Sequence, residues 1–282
     1  MKKYFSLVLF AHSVFALPFA FIGFFLAVQT TTADFDWLKL LLMVACMVFA
    51  RNAAMAFNRY LDRDIDAANP RTAMRDIPAG RISAGQALGF TIANAALFVA
   101  ATWLINAVCF YLSPVALAVV LGYSYTKRFT PLCHLVLGLG LGLAPLGAYL
   151  VVTGAFHVVP TFYACAVLFW VAGFDIIYAL QDESFDREHR LNSIPVWLGK
   201  RTALRVSSVF HVLSAIFVIL PMWVTPLGGF YVTGVVFYCA LLIYQHRIVS
   251  PTDLSRVDRA FMTTNGIASV VFACFYLLDV LF

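Results

Sequence analysis

Asn58, Asp62 and Asp66 in NRYLDRDID fall at i, i+4 and i+8, so a helix through them carries all three on one face. Tyr178, Asp182 and Asp186 in YALQDESFD repeat that spacing 120 residues later. Carboxylates stacked along one face repel each other and gain nothing from pairing. Two such stripes are accounted for if divalent cations sit between them. Hard oxygen ligands select Mg²⁺ over softer metals, and Mg²⁺ completes its shell with water and substrate phosphate. Four aspartates and a diphosphate together carry about −7, more than two Mg²⁺ offset, so basic side chains are expected nearby. Arg59, Arg63, Arg71, Arg75, Lys127 and Arg128 supply them. Asp64 falls off the stripe and reads as a solvated charge.

Two further ionisable residues lie deeper. Arg51 is seven residues before Asn58 and Asp175 seven before Asp182, close to two helical turns in each case. Both interrupt apolar helices, where charge is costly and usually functional.

The elements that must position these groups are membrane helices. Of 282 residues, 62% are apolar and 12% charged, with a mean hydropathy of +0.88. A soluble domain carries roughly 25% charged residues, so the chain is read as one integral membrane domain, all-α, with no nucleic-acid partner. Hydropathy predicts nine spans, near 4–28, 37–57, 84–105, 108–126, 131–152, 160–180, 203–223, 228–248 and 260–281. The N-terminal apolar stretch exceeds a signal peptide's core and is read as a retained first span. Six cysteines scattered through apolar runs, with no CxxC pair, read as small buried hydrophobes.

Of the 19 Lys and Arg, 17 fall at the N-terminus or in or near the loops 58–83, 127–130, 181–202 and 246–259. That asymmetry places the N-terminus and these loops in the cytoplasm and the C-terminus outside; the membrane expected is a bacterial-type inner membrane. A weak repeat relates roughly 30–150 to 151–282. PAGRISAGQAL echoes PVWLGKRTAL, with Gly80-Arg81 matched by Gly199-Lys200, and Ser83 and Thr202 are expected to cap the helices that follow.

NRYLDRDID resembles the first Asp-rich motif, NxxxDxxxD, of the UbiA superfamily of intramembrane prenyltransferases, and YALQDESFD resembles the second. YSYTKRFTP is similar to the family's Tyr-xxx-Lys-Arg segment. The resemblance covers the whole chain. It implies a UbiA-type helical bundle in which Asn58, Asp62, Asp66, Asp182 and Asp186 hold two Mg²⁺ on the diphosphate of a polyprenyl donor. Lys127, Arg128, Arg71 and Arg75 would neutralise the leaving diphosphate, and Tyr123 and Tyr178 would line the cavity for the allylic cation or serve as structural tyrosines. In members that prenylate 4-hydroxybenzoate, an arginine at the position of Arg51 contacts the acceptor's carboxylate. Asp175 would take the ring proton or orient a substrate hydroxyl.

The chain departs from the best-known 4-hydroxybenzoate enzymes in two places. AHSVFALPFA lacks an arginine expected near the acceptor, leaving His12 as its substitute or as a buried structural histidine. FDREHRLNSIP replaces the usual Asp-Asp…Gly…Ser run. Both features resemble a 4-hydroxybenzoate polyprenyltransferase-like branch, some of whose members are linked to menaquinone through a dihydroxynaphthoate. The expected reaction is therefore prenylation of an aromatic acid for respiratory quinones, with 4-hydroxybenzoate first and a dihydroxynaphthoate second. Haem farnesylation and chlorophyll synthesis use similar motifs, but Arg51 favours a small aromatic acid. A transporter would place its polar groups near the midplane rather than at cytoplasmic helix ends. A CDP-alcohol phosphotransferase would carry a DGxxAR-type segment, which is missing.

Overall fold

The computed structural model describes Leu7, residues 15–31 and residues 34–282. In chain order its α-helices are α1 (Leu17–Thr30), α2 (Trp37–Leu61), α3 (Arg63–Ala68), α4 (Ala84–Ile105) and α5 (Ala107–Thr126). Then come α6 (Cys133–Thr153), α7 (Val158–Ala179), α8 (Glu183–Glu188), α9 (Ile194–Ile219), α10 (Gly229–Ile248) and α11 (Asn265–Leu281). A 3₁₀ turn, Leu220–Trp223, extends α9, and a π-helical turn, Arg259–Thr264, opens α11. No strand occurs among the described residues.

Eight described helices are long and apolar enough to cross a bilayer, and α1 is a shorter apolar helix where the first span is expected. The rest of that span before Phe15, including His12, lies outside the described residues apart from Leu7. The protein is a multi-pass membrane protein.

Most span boundaries fall within a few residues of hydropathy; one needs correction. The helix expected at 203 begins at Ile194, where Ser193 Oγ accepts from Val196 N–H at 3.3 Å and Pro195 occupies the first turn. Ser193, not Thr202, is therefore its N-cap. Gly199, at φ 75° and ψ 159°, then breaks the helical line, as only glycine does without strain. Ser83 caps α4 as expected, in a reciprocal capping box with Gln86.

By its internal packing the chain divides into two units. In the unit formed by Asp36–Tyr125, α2 packs along α4. Asn52 Nδ2 donates to Asn94 Oδ1 at 3.3 Å across that pair, and Asn94 is 5% exposed. Asp36 starts α2 by accepting from the amides of Leu38 and Lys39.

The second unit comprises α1 and Thr126–Phe282. Here α7 lies between α6 and α9, and α1 packs on α6. Glycines let the backbones touch. A Cβ on Gly142 would stand 2.7 Å from the carbonyl oxygen of Ala164, and one on Gly138 would overlap that of Leu168. With lipid outside and no hydrophobic drive between helices, such close approach is what joins spans. Behind it, Trp170 Nε1 donates to Asn265 Oδ1 at 2.9 Å, and Asn265 Nδ2 donates to the carbonyls of Ala260 and Phe261 within the π turn. The wider hydrogen-bonding register of that turn is thus occupied by one buried side chain.

Candidate active site

The first acidic motif is built where a long span ends. α2 runs through Asn58 to Leu61; Asp62 then takes φ −89°, ψ 5°, and a six-residue helix, α3, carries Asp66. Asp62 and Asp66 are 3% and 4% exposed. Asn58 Nδ2 donates to Asp62 Oδ2 at 3.1 Å, with Ser124 Oγ of α5 at 3.5 Å from the same nitrogen. Asp66 Oδ1 pairs with Arg75 Nη1 at 2.6 Å, while Arg59 stands 3.9 Å from Oδ2. Asp66 Oδ2 is buried and accepts no hydrogen bond from the described residues. A desolvated carboxylate oxygen without a donor is costly, and a hard cation satisfies it. Thr72 Oγ1, bonded to the Asp66 carbonyl at 3.0 Å, folds the following loop back and brings Arg75 into place. Arg71 is exposed beside it, its amide bonded to Asn69 Oδ1 at 3.0 Å. Asp64 is exposed, as expected.

Deeper on α2, Arg51 is half-buried and interacts electrostatically with Tyr123 of α5. Those two residues and Asn58 therefore belong to one unit.

The second motif repeats the local plan. α7 ends at Ala179, Asp182 takes φ −100°, ψ 1°, and the six-residue α8 carries Asp186. The aspartates are half-buried. Tyr178 stacks on Phe261 with ring centroids 4.2 Å apart. Beyond α8, the Leu191 amide returns to the Asp186 carbonyl at 2.8 Å, and Asn192 N–H donates to the Lys127 carbonyl at 2.7 Å. Lys127 and Arg128, both half-buried, thus sit in the same unit as the second motif.

Asp175 lies on α7, its side chain 23% exposed and bonded through Oδ2 to His134 Nδ1 of α6 at 2.7 Å. His134 is a residue that stripe spacing does not reveal. Its signal was an ionisable group in an apolar span, LCHLVLG, by the same logic that singles out Asp175. Asn192 is likewise invisible to spacing.

No three His, Cys, Asp or Glu side chains converge as a ready-made metal cage among the described residues. Mg²⁺ needs none, since one or two carboxylates with substrate phosphate suffice. The donor set is all oxygen, and with the unsatisfied Asp66 Oδ2 it fits a hard divalent ion.

Residues 16–267 match the UbiA prenyltransferase family. The chain belongs to that family. It is similar to 4-hydroxybenzoate octaprenyltransferases: that of Tolumonas auensis is 29% identical over 248 residues, covering 88% of this chain and 86% of the relative. That of Aeromonas hydrophila is 27% identical over 238 residues, covering 84% and 83%. Among solved structures, a UbiA homologue from Aeropyrum pernix K1 superimposes with a TM-score of 0.85 at 33% identity, over 95% of this chain and 98% of that one. A UbiA homologue from Archaeoglobus fulgidus bound to GPP and Mg²⁺ shares the fold, with a TM-score of 0.71 at 24% identity over 99% and 100% of the two chains. The UbiA membership makes the protein a prenyltransferase, which disposes of the transporter.

Proposed function

We propose that the protein transfers a polyprenyl group from polyprenyl diphosphate to the ring of an aromatic acid, 4-hydroxybenzoate first, in respiratory quinone synthesis. The observation that carries the metal-diphosphate half is the buried, unsatisfied Asp66 Oδ2 beside Asp62, in a motif whose backbone break is reproduced at Asp182. The acceptor half is supported by the relatives' name and by Arg51, a guanidinium in a span where a carboxylate is its natural partner.

Asn58, Asp62, Asp66, Asp182 and Asp186 would hold two Mg²⁺, a metal that a prenyl diphosphate accompanies in the Archaeoglobus homologue. When bound, Mg²⁺ offsets the charge that builds on the departing diphosphate. Lys127, Arg128, Arg71 and Arg75 add to that stabilisation, and Arg75 would exchange Asp66 for phosphate oxygen. Tyr123 and Tyr178 would face the allylic cation, and the apolar spans around them keep water from quenching it. Arg51 would orient the acceptor by its carboxylate. The charged loops would lie on the cytoplasmic side, with the donor's tail in lipid.

Membranes containing the protein, given Mg²⁺ and a polyprenyl diphosphate, should prenylate 4-hydroxybenzoate when it competes with a dihydroxynaphthoate. Prenylated naphthoate instead would keep the chemistry and replace the acceptor. No product from either, with the protein inserted and stable, would overturn the reading.

A further inference from the structure

Asp175 does not stand alone in its span. Its Oδ2 is 2.7 Å from His134 Nδ1, and the His134 ring is only 2% exposed. On the far side of that ring, Nε2 lies 3.3 Å from the Ile194 backbone nitrogen, which donates to it. An amide can only donate, so Nε2 carries no proton. The neutral ring therefore bears its proton on Nδ1 and gives it to the Asp175 carboxylate. The tautomer is fixed from both sides, and Asp175 Oδ1 has no hydrogen bond from any described residue.

Ile194 is the first residue of α9, in the segment that follows the second acidic motif. The same segment holds Lys127: Asn192 gives its backbone N–H and its Nδ2, at 2.7 and 3.4 Å, to the Lys127 carbonyl. Cys133 Sγ, next to His134, lies 3.6 Å from the Asn192 carbonyl. Residues 127–134 and 192–194 are thus zipped along their length, and one strap sets both a diphosphate-side cation and a carboxylate two turns deeper.

We propose that His134 is a positioning residue that presents Asp175 as the base for the proton released by ring substitution. This rests on the reading that the acceptor is an aromatic ring. The transfer breaks the allylic C–O bond, whose electron pair leaves with diphosphate, and joins the allylic carbon to a ring carbon. That ring carbon loses its proton; Asp175 Oδ1 takes it, becomes a carboxylic acid, and passes it to water as product departs. His134 occupies Oδ2 and so fixes the carboxylate's rotation, leaving Oδ1 for the substrate. Orientation of a catalytic group by a buried hydrogen bond is the same logic that serves a histidine held by an aspartate, with the roles exchanged.

A double-mutant cycle tests it. Asp175→Asn should lower kcat about a hundredfold. His134→Ala should lower it about tenfold, with the donor KM unchanged. In the Asp175→Asn background, His134→Ala should cost nothing more, because the group it positions is gone. His134→Gln, which offers one donor and one acceptor, should recover most of the rate. Equal losses in both backgrounds, or a His134→Ala protein at full kcat, would overturn the proposal. A measurement independent of turnover is the ¹⁵N spectrum of histidine-labelled protein. It should show a neutral His134 protonated on Nδ1, perturbed by Asp175→Asn; a ring protonated on Nε2 would refute the arrangement. If the wild type prenylates no aromatic acid, the acceptor reading fails on its own, and the ring spectrum still decides the bond.

Discussion

Arg75 Nη1 lies 2.6 Å from Asp66 Oδ1, so the last carboxylate of the first stripe is neutralised by the protein itself. The partner oxygen, Oδ2, accepts no hydrogen bond from the described residues. One carboxylate therefore meets a hydrogen-bonded cation at one oxygen, while Arg59 stands 3.9 Å from the other without a hydrogen bond to it.

Removing the resident cation should expose that tension. Arg75→Ala leaves a carboxylate with a 5% exposed side chain short of its partner, a loss of about 3 kcal/mol. Melting in detergent without divalent ions should fall by several degrees, and Mg²⁺ with inorganic diphosphate should recover most of it, since ligands that bind the folded state stabilise it. A melting curve identical to wild type would show that the pair does not matter to folding.

Asp62→Ala and Asp182→Ala should each reduce product formation by at least about a hundredfold while leaving membrane insertion intact. Exhaustive chelation should have the same effect on the wild type. Undiminished activity in chelator would remove Mg²⁺ from the scheme.

Arg51→Ala should raise the acceptor KM by about ten- to a hundredfold, the worth of one charge-assisted hydrogen bond of 1.5–3 kcal/mol. The donor KM should hold. Arg51→Lys should recover part of the loss, because a point charge replaces a fork. Steady-state rates with each substrate varied in turn decide it, and a rise confined to the donor KM would refute the assignment.

Gly138 and Gly142 give a packing test. Gly142→Leu puts a side chain where a Cβ alone would come 2.7 Å from the Ala164 carbonyl oxygen. Overpacking of this kind costs about 1–3 kcal/mol. Because α6 carries His134 and α7 carries Asp175, separating them should also lower kcat. Gly147→Ala, on the same helix with nothing within 4 Å of the added Cβ, is the control and should match wild type in both measurements. A stable, fully active Gly142→Leu protein would show that the close approach is dispensable.

Much of the fold was legible because a bilayer allows few solutions: apolar runs of about 20 residues become helices. The stripes were legible because helical spacing is local, and Asn58 and Asp62 do hydrogen-bond as i, i+4 neighbours. What escaped was long-range. Gly138 meets Leu168, and His134 meets Asp175 and Ile194, through packing that no local period encodes. Arg75 pairing with Asp66 depends on a loop folded back by Thr72. The start of α9 escapes hydropathy because 181–202 reads as one charge-rich loop, whereas Pro195 opens the helix and Gly199 only kinks it.

The two charged corners also keep count. From the break at Asp62 to the left-handed Gly80 is 18 residues, and from Asp182 to the left-handed Gly199 is 17. The two contour lengths differ by one residue. In both corners the left-handed glycine turns the chain, ahead of the Ser83 cap of α4 in one and inside α9 in the other. A side chain at that φ is strained whatever the space around it, so Gly80→Val or Gly199→Val should lower prenylation assayed in membranes. Gly85→Ala, one residue into α4 with nothing within 4 Å of the added Cβ and no left-handed φ, should be tolerated.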